Sequence, residues 1–279
     1  MVTEQAAIEP VKLPGISRTV DLLRLDALHP VISGNKWFKL KPYLQQALRE
    51  GKKGLVSMGG ARSNHLHAMA WAARETGLQS IGYVRGELLP NPTLLDCQTW
   101  GMELIPTGRS LYRNLTREWL LARHPDFLFV PEGGHGLPGI EGCEDIARAA
   151  NLSPYNLIVC AVGNGTMFGG LARTLREEQH LLGFTAMRGG EYLGEELRTF
   201  IPHDRWNLLS RFAGAGFGRA DAELLQFMGD FEVLNGIPLD RVYTGKMMLG
   251  IQTLLHEAGI ERDLSILAIH SGGLQGNRA

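Results

Sequence analysis

The 279-residue sequence lacks the features that would direct a chain to nucleic acid or into a membrane. Its 28 Lys and Arg side chains are balanced by 29 acidic ones, so no basic excess attracts nucleic acid or anionic lipid. No apolar run is long enough to span a bilayer, and no signal-peptide segment stands at the N-terminus. We therefore expect a cytoplasmic protein with neither membrane nor nucleic-acid partners.

Cysteine is scarce as well. Cys97, Cys143 and Cys160 lie far apart and form no CxxC motif, and an odd number cannot all pair. We expect free thiols in a reducing compartment. None has a Cys or His partner at metal-ligand spacing, so the sequence predicts no metal site. With 44% apolar residues, the chain can bury one large α/β core or two smaller ones.

What the sequence does contain is a repeated alternation of strand and helix patterns, which is typical of a parallel sheet covered by helices. Short apolar runs predict strands at 20–25, 53–58, 80–84, 102–105, 127–130, 156–162 and 264–269. Helical spacing predicts helices at 93–100, 111–122, 139–150, 171–178 and 244–258. Residues up to 18 are expected to be irregular. Residues 188–240 have no firm assignment, and strands are indicated only as possibilities at 181–187 and 206–212.

Lys36 is the residue around which the candidate chemistry is arranged. It lies between the Gly34-Asn35 turn and the first turn of a predicted helix, where its amine can project into a cleft. A lone lysine is usually a solvated surface residue. A surface position is less favoured for Lys36 because Gly-rich loops follow several later strands. In parallel sheets, ligands collect at the carboxyl ends of the strands.

The loop 163–170 is the clearest predicted anion site. Its glycines allow successive N–H groups and the following helix N-terminus to point at a phosphate. It has neither the GxGxxG spacing of a dinucleotide loop nor the Lys-Ser/Thr pair of a Walker A loop. A tight turn without a ligand is the alternative interpretation.

The loop 59–65 is a second candidate. Ser63 or Asn64 can cap the helix that follows, and the same geometry can bind a substrate carboxylate. Both interpretations can hold together. His67 is expected to pack or to face solvent.

Taken in order, these motifs resemble the 1-aminocyclopropane-1-carboxylate deaminase and D-cysteine desulfhydrase group, which belongs to the fold-type II (tryptophan synthase β-like) pyridoxal-phosphate enzymes. The resemblance covers about Leu22 to Gly273, and the ordered set is far more specific than any single motif. The matching segments are Gly34-Asn35-Lys36-Trp37-Phe38-Lys39-Leu40, Gly60-Ala61-Arg62-Ser63-Asn64-His65, Val162-Gly163-Asn164-Gly165-Thr166, Val242-Tyr243-Thr244-Gly245-Lys246 and Ile269-His270-Ser271-Gly272-Gly273.

The resemblance implies a role for each matched residue. Lys36 holds pyridoxal 5′-phosphate as a Schiff base and serves as the base at the substrate Cα, with Ser63 and Tyr243 as further catalytic residues. The implied cofactor contacts come from Lys36, Asn64 (at the 3′ oxygen), Gly163, Asn164, Gly165 and Thr166 (at the phosphate) and Ser271 (at the pyridine nitrogen). The implied substrate contacts come from Ser63, Asn64, His65 and Tyr243. From chemistry alone, Tyr243 can equally be a packing aromatic, and His270 is expected to be a satisfied core histidine.

Ser271 bears on the reaction. A hydroxyl cannot keep the pyridine ring protonated as a carboxylate would, which makes the ring a milder electron sink. In this family a glutamate near this position accompanies cyclopropane opening, whereas Ser or Thr accompanies desulfhydrases. The resemblance thus implies a D-cysteine desulfhydrase-like β-elimination that yields a keto acid and ammonia. The alternatives are a 1-aminocyclopropane-1-carboxylate deaminase and a degenerate protein that binds the cofactor or an amino acid without turnover.

The implied architecture is a two-lobed α/β fold with open, mostly parallel twisted sheets covered by helices. Residues 1–47 with 131–279 are expected to form a large cofactor-binding domain. Residues 48–130 are expected to form a small domain that closes on a small amino-acid substrate. A homodimer is expected from the same resemblance.

Overall fold

The computed structural model describes residues 5–32, 34–261 and 263–278 and contains two sheets flanked by helices. The strands are β1 (Ile8–Lys12), β2 (Thr19–Arg24), β3 (Gly54–Gly60), β4 (Gln79–Arg85), β5 (Met102–Thr107), β6 (Phe127–Phe129), β7 (Leu157–Val162), β8 (His180–Thr185), β9 (Trp206–Leu209) and β10 (Ile266–His270). The helices are α1 (Asn35–Arg49), α2 (Asn64–Glu75), α3 (Pro92–Thr99), α4 (Arg109–Arg113), α5 (Arg117–Arg123), α6 (Leu137–Glu144), α7 (Ile146–Ala149), α8 (Thr166–Arg173), α9 (Leu193–Arg198), α10 (Ala222–Asn235) and α11 (Thr244–His256).

The larger sheet has six strands in the order β1-β2-β10-β7-β8-β9. β1 and β2 are antiparallel, and the other described pairs are parallel. Every residue of β7 and β10 is buried, as expected for central strands of a sheet covered on both faces. Alternate side chains of β7 confirm the two covered faces. Ile158, Cys160 and Val162 pack with α8, whereas the residues between them pack with α11.

The smaller sheet has four parallel strands in the order β5-β4-β3-β6. Helix α1 joins the two sheets: Phe38 belongs to the core of the larger sheet, whereas Leu40 and Leu44 belong to the core of the smaller one. The first turn of α1 therefore lies at the junction of the sheets. The predicted two-lobed α/β class is confirmed, while the exact lobe boundaries and the closing motion stay predictions.

Several predicted elements are wrong in detail. The segment before residue 18 contains β1, which tolerates Pro10 because it is an edge strand. The helix predicted at 171–178 begins earlier, at Thr166, because Gly165 adopts a left-handed conformation (φ 78°) and turns the chain directly into α8. The helix predicted at 111–122 is two helices, since the Thr116 hydroxyl caps the second one.

Two more corrections concern the middle of the chain. The helix predicted at 139–150 is divided into α6 and α7 at Asp145. The region 188–240, which had no firm assignment, holds α9, β9 and α10. The three cysteines are free, as predicted, and all three are buried. Within the described ranges, no helix combines the length and the apolar character needed to cross a membrane.

Candidate active site

The candidate site lies where neighbouring parallel strands end. In the larger sheet β2, β10 and β7 are adjacent and parallel, so the loops that follow them open at one edge. These loops carry the start of α1, residues 271–273 and residues 163–165. In the smaller sheet β3 and β6 are adjacent, and their loops carry residues 61–63 and 131–136.

The start of α1 is fixed directly against the end of β10. Gly34 has a positive φ of 69°, and a Cβ there would lie 1.9 Å from the backbone oxygen of Ser271. Only glycine permits this approach. The Asn35 N–H donates to the same Ser271 oxygen at 3.2 Å. The contact fixes the backbone just before Lys36 against Ser271.

The Lys36 side chain is partly buried, and its Nζ donates to the Asn35 Oδ1 at 2.8 Å. Burial, assisted by the nearby positive charge of Lys39, lowers the pKa of Lys36 to about 7. The amine therefore loses its proton far more readily near neutral pH than an exposed lysine does, as a lysine nucleophile or base requires.

Lys39 is a second buried amine, one turn further along α1. Its Nζ donates to the Asn164 Oδ1 at 3.1 Å, and burial lowers its pKa. The motif comparison assigned it no role. The i, i+3 spacing from Lys36 places both lysines on one helix face, and this spacing was the available signal.

The loop between β7 and α8 presents donors that suit an anion. The Thr166 N–H and the Lys39 Nζ both point at a single acceptor, the Asn164 Oδ1. The Thr166 Oγ1 is buried and has no hydrogen-bond partner among the described residues. A buried hydroxyl without a partner is unusual in a native protein, and a bound phosphate oxygen would satisfy it.

The loop between β3 and α2 is organised differently. The Ser63 Oγ accepts from the Leu66 N–H at 3.2 Å, which confirms the predicted cap. The His65 Nε2 lies 2.9 Å from the Ser57 Oγ, and its buried Nδ1 has no partner in the described part of the chain. Burial, with the positive charges of Lys36 and Lys39, lowers the pKa of His65 to about 3. His65 is therefore neutral at physiological pH.

Tyr243 lies against the phosphate-loop candidate. A Cβ on Gly163 would lie 3.1 Å from the Tyr243 Cε1 and 3.4 Å from its hydroxyl oxygen. Burial raises the pKa of Tyr243, so the hydroxyl stays protonated. Asp240, which sequence reasoning missed, fixes this segment because its carboxylate accepts from the N–H groups of Val242, Tyr243 and Thr244. An Asp four residues before a predicted helix, able to accept from the N–H groups that follow it in a turn, was the signal.

The two histidines for which no reactive role is predicted, His270 and His67, are both buried. His270 is fully buried, and its Nε2 lies 2.9 Å from the Pro238 oxygen. His67 is buried beside Trp100 and pairs with Asp96 at 2.9 Å. Both predictions are confirmed.

The described side chains thus divide into two groups. One group lies in or beside the loops at one edge of the larger sheet: Lys36, Asn164, Thr166, Tyr243 and Ser271. Across from them, Ser63 and His65 are already bonded within the smaller lobe, whereas Asn64 contacts the loop after β10. Their individual roles stay predictions.

The model for the pyridoxal-phosphate dependent enzyme family matches residues 5–272. The chain belongs to this family. Its dependence on pyridoxal phosphate and its status as an enzyme, both predicted from the motifs, are confirmed. The buried Thr166 hydroxyl, the two lysines and the glycine-rich loop are a donor set that fits this cofactor.

Similar proteins indicate which group within this family the chain resembles. A D-cysteine desulfhydrase from Yersinia enterocolitica is 28% identical over 291 residues, covering 92% of this chain and 87% of that protein. A Thermotoga maritima protein provisionally named 1-aminocyclopropane-1-carboxylate deaminase is 26% identical over 278 residues, covering 91% and 88%. The crystal structure of an ACC deaminase homologue superposes with a TM-score of 0.84 at 26% identity, covering 99% of this chain and 92% of that one. The predicted relationship to this group is confirmed.

Proposed function

We propose that this enzyme is a lyase of the D-cysteine desulfhydrase type, which converts a small amino acid to a keto acid and ammonia by β-elimination. The observation that carries the proposal is the position of Lys36. This lysine has a pKa near 7, stands at the junction of the sheets and lies one helical turn before Lys39, whose Nζ shares the Asn164 Oδ1 with the Thr166 N–H.

The chain's own residues supply the cofactor contacts. We assign the phosphate to Gly163, Asn164, Gly165 and Thr166, with the Lys39 amine as an additional cation. Asn64 and Ser271 are assigned to the ring. When bound, pyridoxal phosphate supplies an electrophilic carbonyl and a ring that withdraws electrons from the substrate Cα.

Lys36 has two tasks in this proposal. Its unprotonated amine would hold the cofactor through the cofactor's carbonyl group. The same amine, once free, would accept the proton from the substrate Cα. A pKa near 7 suits both tasks because the group exchanges protons readily at neutral pH.

The substrate carboxylate is assigned to the N-terminus of α2, where Ser63 and Asn64 stand and where the helix dipole favours an anion. His65 is neutral and contributes no charge, but its unpartnered Nδ1 can form a hydrogen bond to the substrate. Tyr243, protonated and packed on Gly163, is assigned as a donor on the opposite side.

Ser271 favours elimination over the alternatives. It is buried, and a neutral hydroxyl near the ring gives a mild electron sink. For D-cysteine, the Cα–H and Cβ–S bonds break, and one water is consumed to give pyruvate, hydrogen sulfide and ammonia. The likeness to a solved ACC deaminase homologue keeps ring opening of 1-aminocyclopropane-1-carboxylate to 2-oxobutanoate and ammonia as the second candidate.

The test is a titration of the purified holoenzyme with D-cysteine, L-cysteine, D-serine, β-chloroalanine and 1-aminocyclopropane-1-carboxylate. The readouts are the visible absorbance of the bound cofactor, ammonia, sulfide and the keto acid. We expect D-cysteine to change the absorbance and to give pyruvate with sulfide. Formation of 2-oxobutanoate would favour the second candidate. A band that responds to none of these compounds would indicate a binder without turnover.

The anchor lysine is tested separately. Borohydride reduction of the holoenzyme followed by peptide mass mapping should place the cofactor on Lys36. Lys36→Ala should abolish this label, whereas Lys39→Ala should keep it. A label on Lys39 would overturn the assignment. The predicted homodimer is tested by sedimentation equilibrium of the same holoenzyme.

A further inference from the structure

The 3-10 turn Leu274–Asn277, which follows β10, connects the two lobes. On the side of the larger sheet, the Asn277 Nδ2 donates to the Leu239 oxygen at 2.8 Å, and the Arg241 Nη2 donates to the Gly276 oxygen at 3.1 Å. On the other side, the Arg278 Nη2 lies 2.6 Å from the Asp96 Oδ2 on α3. The turn is therefore fixed from both sides.

One side chain of this turn reaches the first residue of α2. The Gln275 Nε2 donates a hydrogen bond to the Asn64 Oδ1. Two glycines of the same segment leave room for the Asn64 carboxamide. A Cβ on Gly273 would lie 3.0 Å from the Asn64 Nδ2, and one on Gly276 would lie 3.7 Å from the Oδ1. The Asn64 amide is thus packed against the turn with its oxygen toward Gln275.

This contact decides which end of the Asn64 amide is available to a ligand. A carboxamide has one accepting oxygen and one donating nitrogen, and the two ends have nearly the same shape. The Asn64 oxygen is occupied by Gln275, while its Nδ2 donates to no acceptor among the described residues. A rotation by 180° would place two N–H donors face to face and leave the bond unmade.

We infer that Gln275 is a positioning residue, which holds Asn64 with its Nδ2 turned toward the cofactor's 3′ oxygen. The inference rests on the proposed function, because it assumes that Asn64 contacts that oxygen. The 3′ oxygen is an acceptor that carries negative charge, so a donor stabilises it and the amide oxygen would repel it. Gln275 then acts on the cofactor only through Asn64.

The test compares two substitutions of matched length, Gln275→Glu and Gln275→Met. A carboxylate accepts hydrogen bonds, so Glu should attract the Asn64 Nδ2 and turn the oxygen toward the cofactor. Met removes the hydrogen bond but offers no acceptor that would favour the rotated Asn64 amide. We expect the dissociation constant of pyridoxal phosphate from the apoprotein to rise about tenfold for Glu, and clearly less for Met. The absorbance maximum of the bound cofactor should also shift for Glu.

A double-mutant cycle separates this effect from the added charge. In an Asn64→Ala background the carboxylate remains but the amide is gone, so Glu and Gln should then bind the cofactor within about twofold of each other. The thermal midpoint of each apoprotein serves as the folding control.

Two outcomes would overturn the inference. Equal losses of cofactor affinity in Gln275→Glu and Gln275→Met would indicate that Gln275 only packs against its neighbours. An effect of Gln275→Glu that persists in the Asn64→Ala background would indicate that the added charge alone is responsible. The proposed function fails separately: it fails when borohydride does not attach the cofactor to Lys36 in the unaltered chain. If Lys36 is labelled and both Gln275 variants bind the cofactor like wild type, only the role of Gln275 is refuted.

Discussion

The two glycine-rich junctions between a strand and a helix look alike in sequence but differ in their hydrogen bonds. At the β7–α8 junction, the Thr166 hydroxyl is buried without a described partner, and the Lys39 amine approaches the same loop. At the β3–α2 junction, the Ser63 hydroxyl caps its own helix and His65 bonds to Ser57. At the first junction the helix-start hydroxyl is left without a described partner, whereas at the second the corresponding hydroxyl is used by the fold and only the His65 Nδ1 is left without one.

Because of this difference, substitutions at the two junctions should affect different properties, cofactor binding at one and stability of the fold at the other. A buried polar group without a partner costs roughly 1–3 kcal/mol, which a protein tolerates where a ligand supplies the missing acceptor. A helix cap stabilises the fold by roughly 1 kcal/mol whether or not a ligand is present. The first junction should therefore respond to changes through cofactor affinity and the second through stability.

The largest effect is expected for Lys39→Met, which removes the amine beside the phosphate loop. Loss of a charge-assisted hydrogen bond should weaken pyridoxal phosphate binding by roughly ten- to a hundredfold, measured by titration of the apoprotein. The control is Lys41→Met on the same helix, since Lys41 pairs with Asp145 instead. Similar losses in both variants would show that Lys39 has no special role.

Thr166→Val should affect binding and stability in different ways. We expect about a tenfold loss of cofactor affinity, because the hydroxyl would lose its bond to phosphate. The apoprotein should unfold at a midpoint no lower than wild type, since the removed hydroxyl has no described partner. Thr174→Val, at the other end of α8, is the control and should leave affinity unchanged because its hydroxyl bonds to the Leu171 oxygen. Unchanged cofactor affinity in Thr166→Val would contradict the assignment of this hydroxyl to the phosphate.

The pH dependence of cofactor uptake tests the amine at the site. The pKa of Lys36 is lowered to about 7, so the unprotonated fraction rises as the pH rises through that value. The rate of covalent attachment to the apoprotein should increase about fivefold from pH 6 to 7 and level off above pH 8. His65, with a pKa of about 3, adds no step in this range. A rate that still climbs at pH 10 would indicate an ordinary exposed lysine.

The smallest effect on the cofactor is expected for Ser63→Ala. The free energy of unfolding should fall by about 1 kcal/mol through loss of the cap, while cofactor affinity stays within about twofold of wild type. The control is Thr116→Ala, which removes the same kind of cap from α5. If Ser63 also binds the substrate carboxylate, the KM for the substrate should rise in Ser63→Ala, whereas Thr116→Ala should leave this KM unchanged. An unchanged KM in both variants would leave Ser63 with the cap alone.

Much of this site could be predicted where function depends on residues close together in the chain. The Gly34-Asn35-Lys36 turn, the Ser63 cap and the loop at 163–166 are each local patterns with a local cause. Lys39, Asp240 and Gln275 were not assigned roles, although helix-face spacing and a turn-forming Asp offered signals for the first two. The contact of Lys39 with Asn164 spans 125 residues, and that of Gln275 with Asn64 spans 211. Nothing in a local pattern indicates such a pair.

The family, the cofactor and the alternation of strands and helices can be read from the amino-acid sequence, because they follow from ordered motifs and from hydrophobic periodicity. Which polar groups keep no partner is visible only in the folded chain, since their partners come from distant segments. It placed the first turn of α1 between two cores, which desolvates Lys36 and lowers its pKa. Burial and pairing, which no single segment contains, give one lysine among many a pKa near neutrality.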